Sequence, residues 1–179
     1  MGKEMIDKEL IENAIAEALK TGGDFAEIFV EDKRSSSAYF DDGKVEELTS
    51  GRDRGAGIRV VVGETTGFAH TADLSTQGLL EAARSAAAAA RSNGGAGSAN
   101  KLTASSAPSP NPVLVLPETV EKIKKVELLK RADEVARSQS KSITQVSARY
   151  GDSRRRILVA NSDGVYASDD QVRTLFSVA

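Results

Sequence analysis

No cysteine occurs among the 179 residues, which excludes disulfides, thiolate metal sites and a cysteine nucleophile within this span. Tryptophan is also missing and aromatics make up only 4%, so the core must be built mainly from Ala, Val, Ile and Leu. There is one histidine, His70, whereas a catalytic zinc site needs two or three convergent ligands and a general base. No apolar run approaches the ~18 residues of a membrane-spanning helix. The N-terminus lacks the basic-then-apolar layout of a secretory signal. Met1-Gly2 opens like a myristoylation site, but Ile6 stands where Ser or Thr is required. These absences make a cytoplasmic, reducing location with no membrane partner the default expectation.

What is present is ordinary for a globular chain: 40% apolar, 28% charged, formal net charge −2. That balance gives no reason to expect nucleic acid as a partner. The charge is unevenly spread. Residues 1–93 hold 11 Lys/Arg against 17 Asp/Glu, and residues 117–179 hold 12 against 9. Two differently charged surfaces, or two halves meeting each other or a partner through complementary fields, both fit that asymmetry.

Ile6, Leu10, Ile11, Ala14, Ile15, Ala18 and Leu19 recur at helical spacing, and Thr21-Gly22-Gly23 supplies a glycine stop. Strands are expected over Asp24–Glu31 and Ser35–Phe40, with Asp41-Asp42-Gly43 as a tight turn. Lys44–Ser50 and Gly57–Val62 read as two further strands, Gly63-Glu64 as a turn, and Thr65–Thr71 as the return. Ser75 is a candidate N-cap for a helix to about Ser92, whose Ala86–Ala90 run favours helix and close packing against a sheet. The expected fold class is therefore α+β: an antiparallel sheet with flanking helices in the order α-β-β-β-β-β-α, followed by the truncated start of a second α+β domain.

Asn93–Ser98 is glycine-rich and Pro108-Ser109-Pro110-Asn111-Pro112 cannot be helical, so residues 94–117 read as a linker between a domain at 1–93 and another at 118–179. A helix is expected from about Thr119 to Gln139, burying Val120, Ile123, Leu128, Leu129, Ala132, Val135 and Ala136. Strands at Ile143–Tyr150 and Arg155–Ala160, a turn at Asn161–Gly164 and a last strand from Val165 complete the reading. Val172, Thr174, Phe176 and Val178 alternate as in a half-buried strand up to the final residue, so a partner strand is expected beyond Ala179. Helix–strand–strand–turn–strand also occurs twice at an offset of 120, with Asp32, Arg34 and Asp41 answered by Asp152, Arg154 and Asn161. Duplication and the commonness of this element order both account for it.

Several blocks resemble one family. The stretch Ser50–His70, the helix entry Asp73-Leu74-Ser75, the segment Leu128–Arg137 and the strand and turn Ile157–Gly164 are similar, in this order, to the TldD/PmbA family and to its TldD branch in particular. The resemblance implies an N-terminal domain at 1–93, the opening of a central domain at 118–179, and a longer parent protein. It implies zinc-dependent hydrolysis of peptides or unfolded proteins in complex with a TldE/PmbA-like subunit. The family's zinc is held by a His-Glu-x-x-x-His helix and a cysteine, neither of which occurs here, so no catalytic, metal-binding or cofactor-binding residue is assigned to this chain. The portion present is expected to form scaffold and substrate passage. The alternative is a non-catalytic binding or assembly module of the same fold.

Other candidate chemistry is weak. His70 reads as a surface or strand-end residue. Asp41, Asp42, Glu46 and Glu47 crowd one hairpin, but they and Asp169-Asp170 read as solvated carboxylates rather than an acid/base pair. Ser138-Gln139-Ser140-Lys141 has Ser-x-x-Lys spacing at the wrong end of a helix. Arg154-Arg155-Arg156 could grip an anion, though a solvated strand start is the simpler reading. Despite the family's older label as gyrase modulators, interleaved aromatics for nucleic acid are missing. The glycines at 51, 55, 57, 63 and 67 form no phosphate cradle and are expected to serve turns and close approaches.

Overall fold

The computed structural model describes residues 5–90, 97–105 and 113–179. Its elements run α1 (Lys8–Leu19), β1 (Phe25–Asp41), β2 (Lys44–Val62), β3 (Thr65–Thr71), α2 (Thr76–Ala89), β4 (Thr103–Ser105), a short 3-10 turn (Pro117–Thr119), α3 (Lys122–Gln139), β5 (Ser147–Asn161) and β6 (Val165–Val178). One six-stranded sheet has the order β3-β2-β1-β5-β6-β4. β2 pairs antiparallel with β3 and β4 pairs parallel with β6. The α+β class with a mostly antiparallel sheet and flanking helices is as the sequence predicts. The last residues of the helix expected to reach Ser92, and residues 94–96 and 106–112 of the expected linker, lie outside the described residues.

The strand count differs from the expectation. The five strands expected before the second helix are three, because Asp24–Glu31 and Ser35–Phe40 belong to one strand, as do Lys44–Ser50 and Gly57–Val62. Polar Asp32-Lys33-Arg34 does not interrupt β1, since an extended backbone holds its ladder whatever side chains it carries. Gly51, Gly55 and Gly57 do not interrupt β2, because none has positive φ. Downstream, Ile143–Val146 precedes β5 instead of belonging to it.

The chain divides into two compact units, and β1, β2, β5 and β6 each pass from one into the other. The first takes Met1–Asp32, Arg54–Pro108 and Arg156–Asp169. Its core joins Ile11, Ile15 and Leu19 of α1, Leu79 and Ala83 of α2, and Ile28, Val30, Ile58, Val60, Leu158 and Ala160 of the strands. The Asp7 side chain caps α1 and the Ser75 side chain caps α2. The alanine-rich face of α2 allows a close approach: a Cβ on Gly67 of β3 would run into the Ala86 carbonyl oxygen and the Ala90 nitrogen. Gly63 turns β2 into β3 at φ +54, its N–H held by Asp24 Oδ2 at 2.6 Å.

The second unit takes Lys33–Asp53, Ser109–Arg155 and Asp170–Ala179. Its apolar core is small: Ala38, Phe40, Leu129 and Ala148, with Tyr150 packed against them. The face of α3 that it buries shares Leu129 with the expected one but is otherwise different. Lys125, Val126, Leu129 and Asp133 are buried, while Ile123, Leu128 and Val135 are 54%, 45% and 52% exposed. The helix is rotated because two charged side chains, each with an ionic partner inside the unit, occupy the buried stripe.

Candidate functional site

A cleft of about 460 Å³ opens in the second unit. The middle of β1 contributes Arg34, Ser35 and Ser36, and the middle of β2 contributes Ser50, Gly51 and Arg52. The 3-10 turn adds Pro117 and Glu118, Val120 follows it, the first turn of α3 brings Lys122 and Lys125, and β5 adds Arg154. Five lining side chains are cationic and one, Glu118, is anionic.

The floor is a closed polar network. Lys125 Nζ and Asp152 Oδ2 lie 2.5 Å apart, with side chains 6% and 4% exposed. Lys125 Nζ also donates to Ser36 Oγ at 2.8 Å, and Ser36 Oγ donates to Asp152 Oδ1 at 2.9 Å. The Tyr150 ring lies 5.5 Å from Lys125 Nζ. Burial raises the Asp152 carboxyl, but interactions with Lys125, Tyr150 and Ser36 outweigh it and hold the group below its ordinary value. Burial first, and then the interaction with Asp152, push the Tyr150 hydroxyl up to about 12.

A serine beside a lysine raises the question of nucleophilic catalysis. That chemistry needs a neutral lysine accepting the serine proton. Here the lysine donates to the serine and the serine donates to the carboxylate, so the serine proton is directed at Asp152 and not at the lysine nitrogen. The network is a structural ion pair.

Arg154 forms the second anchor. It donates to Glu118 Oε1 at 2.6 Å and to both oxygens of Asp170, with Nε 2.9 Å from Oδ1. Hydrogen bonding to Asp170 raises the guanidinium further above its ordinary value. Burial works against the charge of Glu118, but the bond from Arg154 and the nearby charges of Arg154 and Arg34 hold its carboxyl below the ordinary range. The expectation of a solvated strand start at Arg154 is thereby corrected. The residue sits inside β5 with a side chain 21% exposed, because two carboxylates lie within reach. Lys122 Nζ meets Ser50 Oγ at 3.2 Å on the opposite wall.

The other candidates do not converge on the cleft. His70 is exposed on β3 and stacks on Phe68, ring centroids 6.3 Å apart. Asp41 accepts from Gln145 and Ser147, Asp42 pairs with Arg137, and Glu46 and Glu47 are exposed. Asp170 pairs with Arg154 while its side chain stays 44% exposed, a solvated carboxylate as expected. Ser138 Oγ donates to the Val135 carbonyl at the end of α3. Among the described residues no three His, Asp or Glu side chains converge as a metal site. Among the described residues a zinc ion therefore finds no fitting donor set.

The sequence does not mark Lys125, Ser36 or Glu118, and it marks Asp152 only as the counterpart of Asp32 in the repeated element order. A signal for Lys125 existed, since it stands one turn before Leu129 on the same face of α3. A lysine in an apolar stripe calls for a buried acid, and the Asp152 that answers it lies 27 positions away.

Residues 26–90 match the PmbA/TldA metallopeptidase domain 1, and residues 116–179 match the PmbA/TldA metallopeptidase central domain. The Metalloprotease TldD homolog of Haemophilus influenzae is 30% identical over 151 residues, covering 82% of this chain and 30% of that protein. Two solved structures share the fold. A Thermotoga maritima protein that carries the provisional label of DNA gyrase modulator superposes with a TM-score of 0.71 at 17% identity, over 94% of this chain and 38% of its own. TldE from Thermococcus kodakarensis gives 0.69 at 19% identity, over 94% and 42%. The chain thus spans about a third of the length of the curated relatives it matches.

Proposed function

The chain belongs to the PmbA/TldD metallopeptidase family, and from that membership we propose that it forms the N-terminal scaffold and substrate-passage portion of a TldD-like zinc metallopeptidase. The proposed activity of the whole is hydrolysis of peptides or unfolded proteins, working with a TldE/PmbA-like subunit. In this reading residues 1–93 are the N-terminal domain, 94–117 a linker and 118–179 the opening of the central domain. Zinc and its general base come from outside these residues.

The observation that carries the reading is the consecutive match to domain 1 and the central domain, together with similarity to metalloprotease TldD homologues. The donor chemistry supports the division of labour: one exposed histidine, no cysteine, and carboxylates engaged with arginine and lysine. No described helix is long and apolar enough to cross a membrane.

Two measurements test this. Metal analysis of the purified chain after dialysis against zinc should find no stoichiometric metal, and the chain alone should not cleave an unfolded casein substrate. Bound zinc, or chelator-sensitive cleavage, would refute the placement of chemistry outside the chain. Light scattering of the chain mixed with a TldE/PmbA-like subunit should show a stoichiometric complex, and two species migrating independently would overturn the partner assignment.

A further inference from the structure

We propose that the cleft of the second unit binds an acidic side chain of a peptide. The proposal rests on the peptide-hydrolase reading above and names the substrate class that this portion would recognise.

Charge in the cleft is one-sided. Arg34, Arg52, Lys122, Lys125 and Arg154 face it, with Glu118 the only carboxylate among its lining residues. Glu118, together with Asp170, is spent on Arg154, so that arginine is neutralised within the wall and adds no net positive charge for a ligand. Lys125 is neutralised from behind by Asp152 and fixes the floor. The positive side chains that a ligand meets are therefore Arg34 from β1 and Lys122 from α3.

Hydroxyls and backbone add direction to that charge. Ser35, Ser36 and Ser50 line the same space. α3 begins there, and its first turn brings Lys122 and Lys125 to the wall. At Gly51 an added Cβ would meet nothing nearer than Ser35 Oγ at 4.0 Å, which leaves room for a peptide backbone to approach β2. Val120 and Pro117 give apolar contact for the remainder. A volume of about 460 Å³ suits a few peptide residues and exceeds what a lone inorganic ion needs. Arginine forks grip carboxylate and phosphate alike, so the test separates the two.

The test is calorimetric titration of the chain with acetyl-Ala-Glu-Ala-Glu-Ala-amide, with its Gln-for-Glu counterpart and with inorganic phosphate. The Glu peptide should bind in a salt-sensitive manner, and the Gln peptide and phosphate should bind at least about tenfold more weakly. Arg34→Gln with Lys122→Gln, both exposed side chains, should keep the wild-type circular dichroism spectrum and weaken the Glu peptide on the order of tenfold. Equal binding of the Glu and Gln peptides, or Glu-peptide binding untouched by the double substitution, would overturn the cleft proposal and leave the peptide reading standing. Phosphate binding as tightly as the Glu peptide would assign the cleft to phosphate instead. Failure of both peptides to bind would count against the peptide reading itself.

Discussion

Lys125 and Asp152 form an ion pair of 2.5 Å between side chains that are 6% and 4% exposed, and Ser36 closes the triangle. Removing two charges from water is costly, and the pair is tolerable only because every strong donor and acceptor in it is matched. Among the described residues no buried side-chain nitrogen or oxygen lacks a partner. Asp152→Asn should therefore cost far more than one hydrogen bond, since it leaves an ammonium buried without its counter-charge. The expected loss is about 3–5 kcal/mol. Replacing both partners with apolar residues of similar size, Lys125→Met with Asp152→Leu, should recover most of that. Urea midpoints of the three proteins check this; a single substitution as mild as the double one would show that the pair is not dry.

The same network sets a pH dependence with two limbs. The Asp152 pKa is depressed, so its contribution is present above the ordinary value of 3.8 and is lost as pH falls through the lower folded value. The Tyr150 pKa is raised from 10.0 to about 12, so its contribution is complete below 10 and is lost as pH rises through 12. Thermal melts across the alkaline range should fall more steeply for the wild type than for Tyr150→Phe. Parallel curves would mean that the hydroxyl has no special environment.

The broad fold was legible in the sequence because it rests on local signals. The α1 stripe, the Ser75 cap, the Gly43 and Gly63 turns and the alanine run of α2 each lie within a few residues of what they control. The face of α3 was not, because an apolar count places charged residues outside and so assigned burial to Ile123, Leu128 and Val135. The cleft was not legible for a related reason. Its walls combine positions as distant as Arg34, Ser50, Glu118 and Arg154, which only the pairing of the strands and the placement of the 3-10 turn bring together.

Close approach at Gly67 and openness at Gly51 give a paired prediction. A methyl group at position 67 would enter the space of α2 backbone at Ala86 and Ala90, and backbone yields less readily than a side-chain tip. Gly67→Ala should cost about 1–3 kcal/mol or more. Gly51→Ala meets nothing within contact distance and needs no unusual φ, so its effect should stay within roughly 0.5 kcal/mol. Chemical denaturation of both variants tests this, and comparable losses would disprove the close packing of α2 on β3.

The repeated element order has a backbone counterpart. In the first unit Ser162 N–H donates to the Ala26 carbonyl at 2.8 Å, and in the second Asp42 N–H donates to the Val146 carbonyl at 3.0 Å. Shifting each residue of the first bond by 120, one upward and one downward, produces the second. α1 ends at Leu19 and α3 at Gln139, again 120 apart. Gly43 and Gly164 turn the two hairpins at φ +84 and +97, one residue off that spacing. Because both turns demand positive φ, alanine at either should cost roughly 1–2 kcal/mol from the backbone alone. The costs should not be equal. A Cβ at position 43 meets open space, whereas one at 164 lies 3.0 Å from the Lys101 carbonyl oxygen, so Gly164→Ala should be the more damaging. Asparagine, which tolerates this φ better, should recover part of the loss at 43 and less of it at 164. Melting temperatures of the four variants decide the matter, and a larger loss at 43 than at 164 would break the argument.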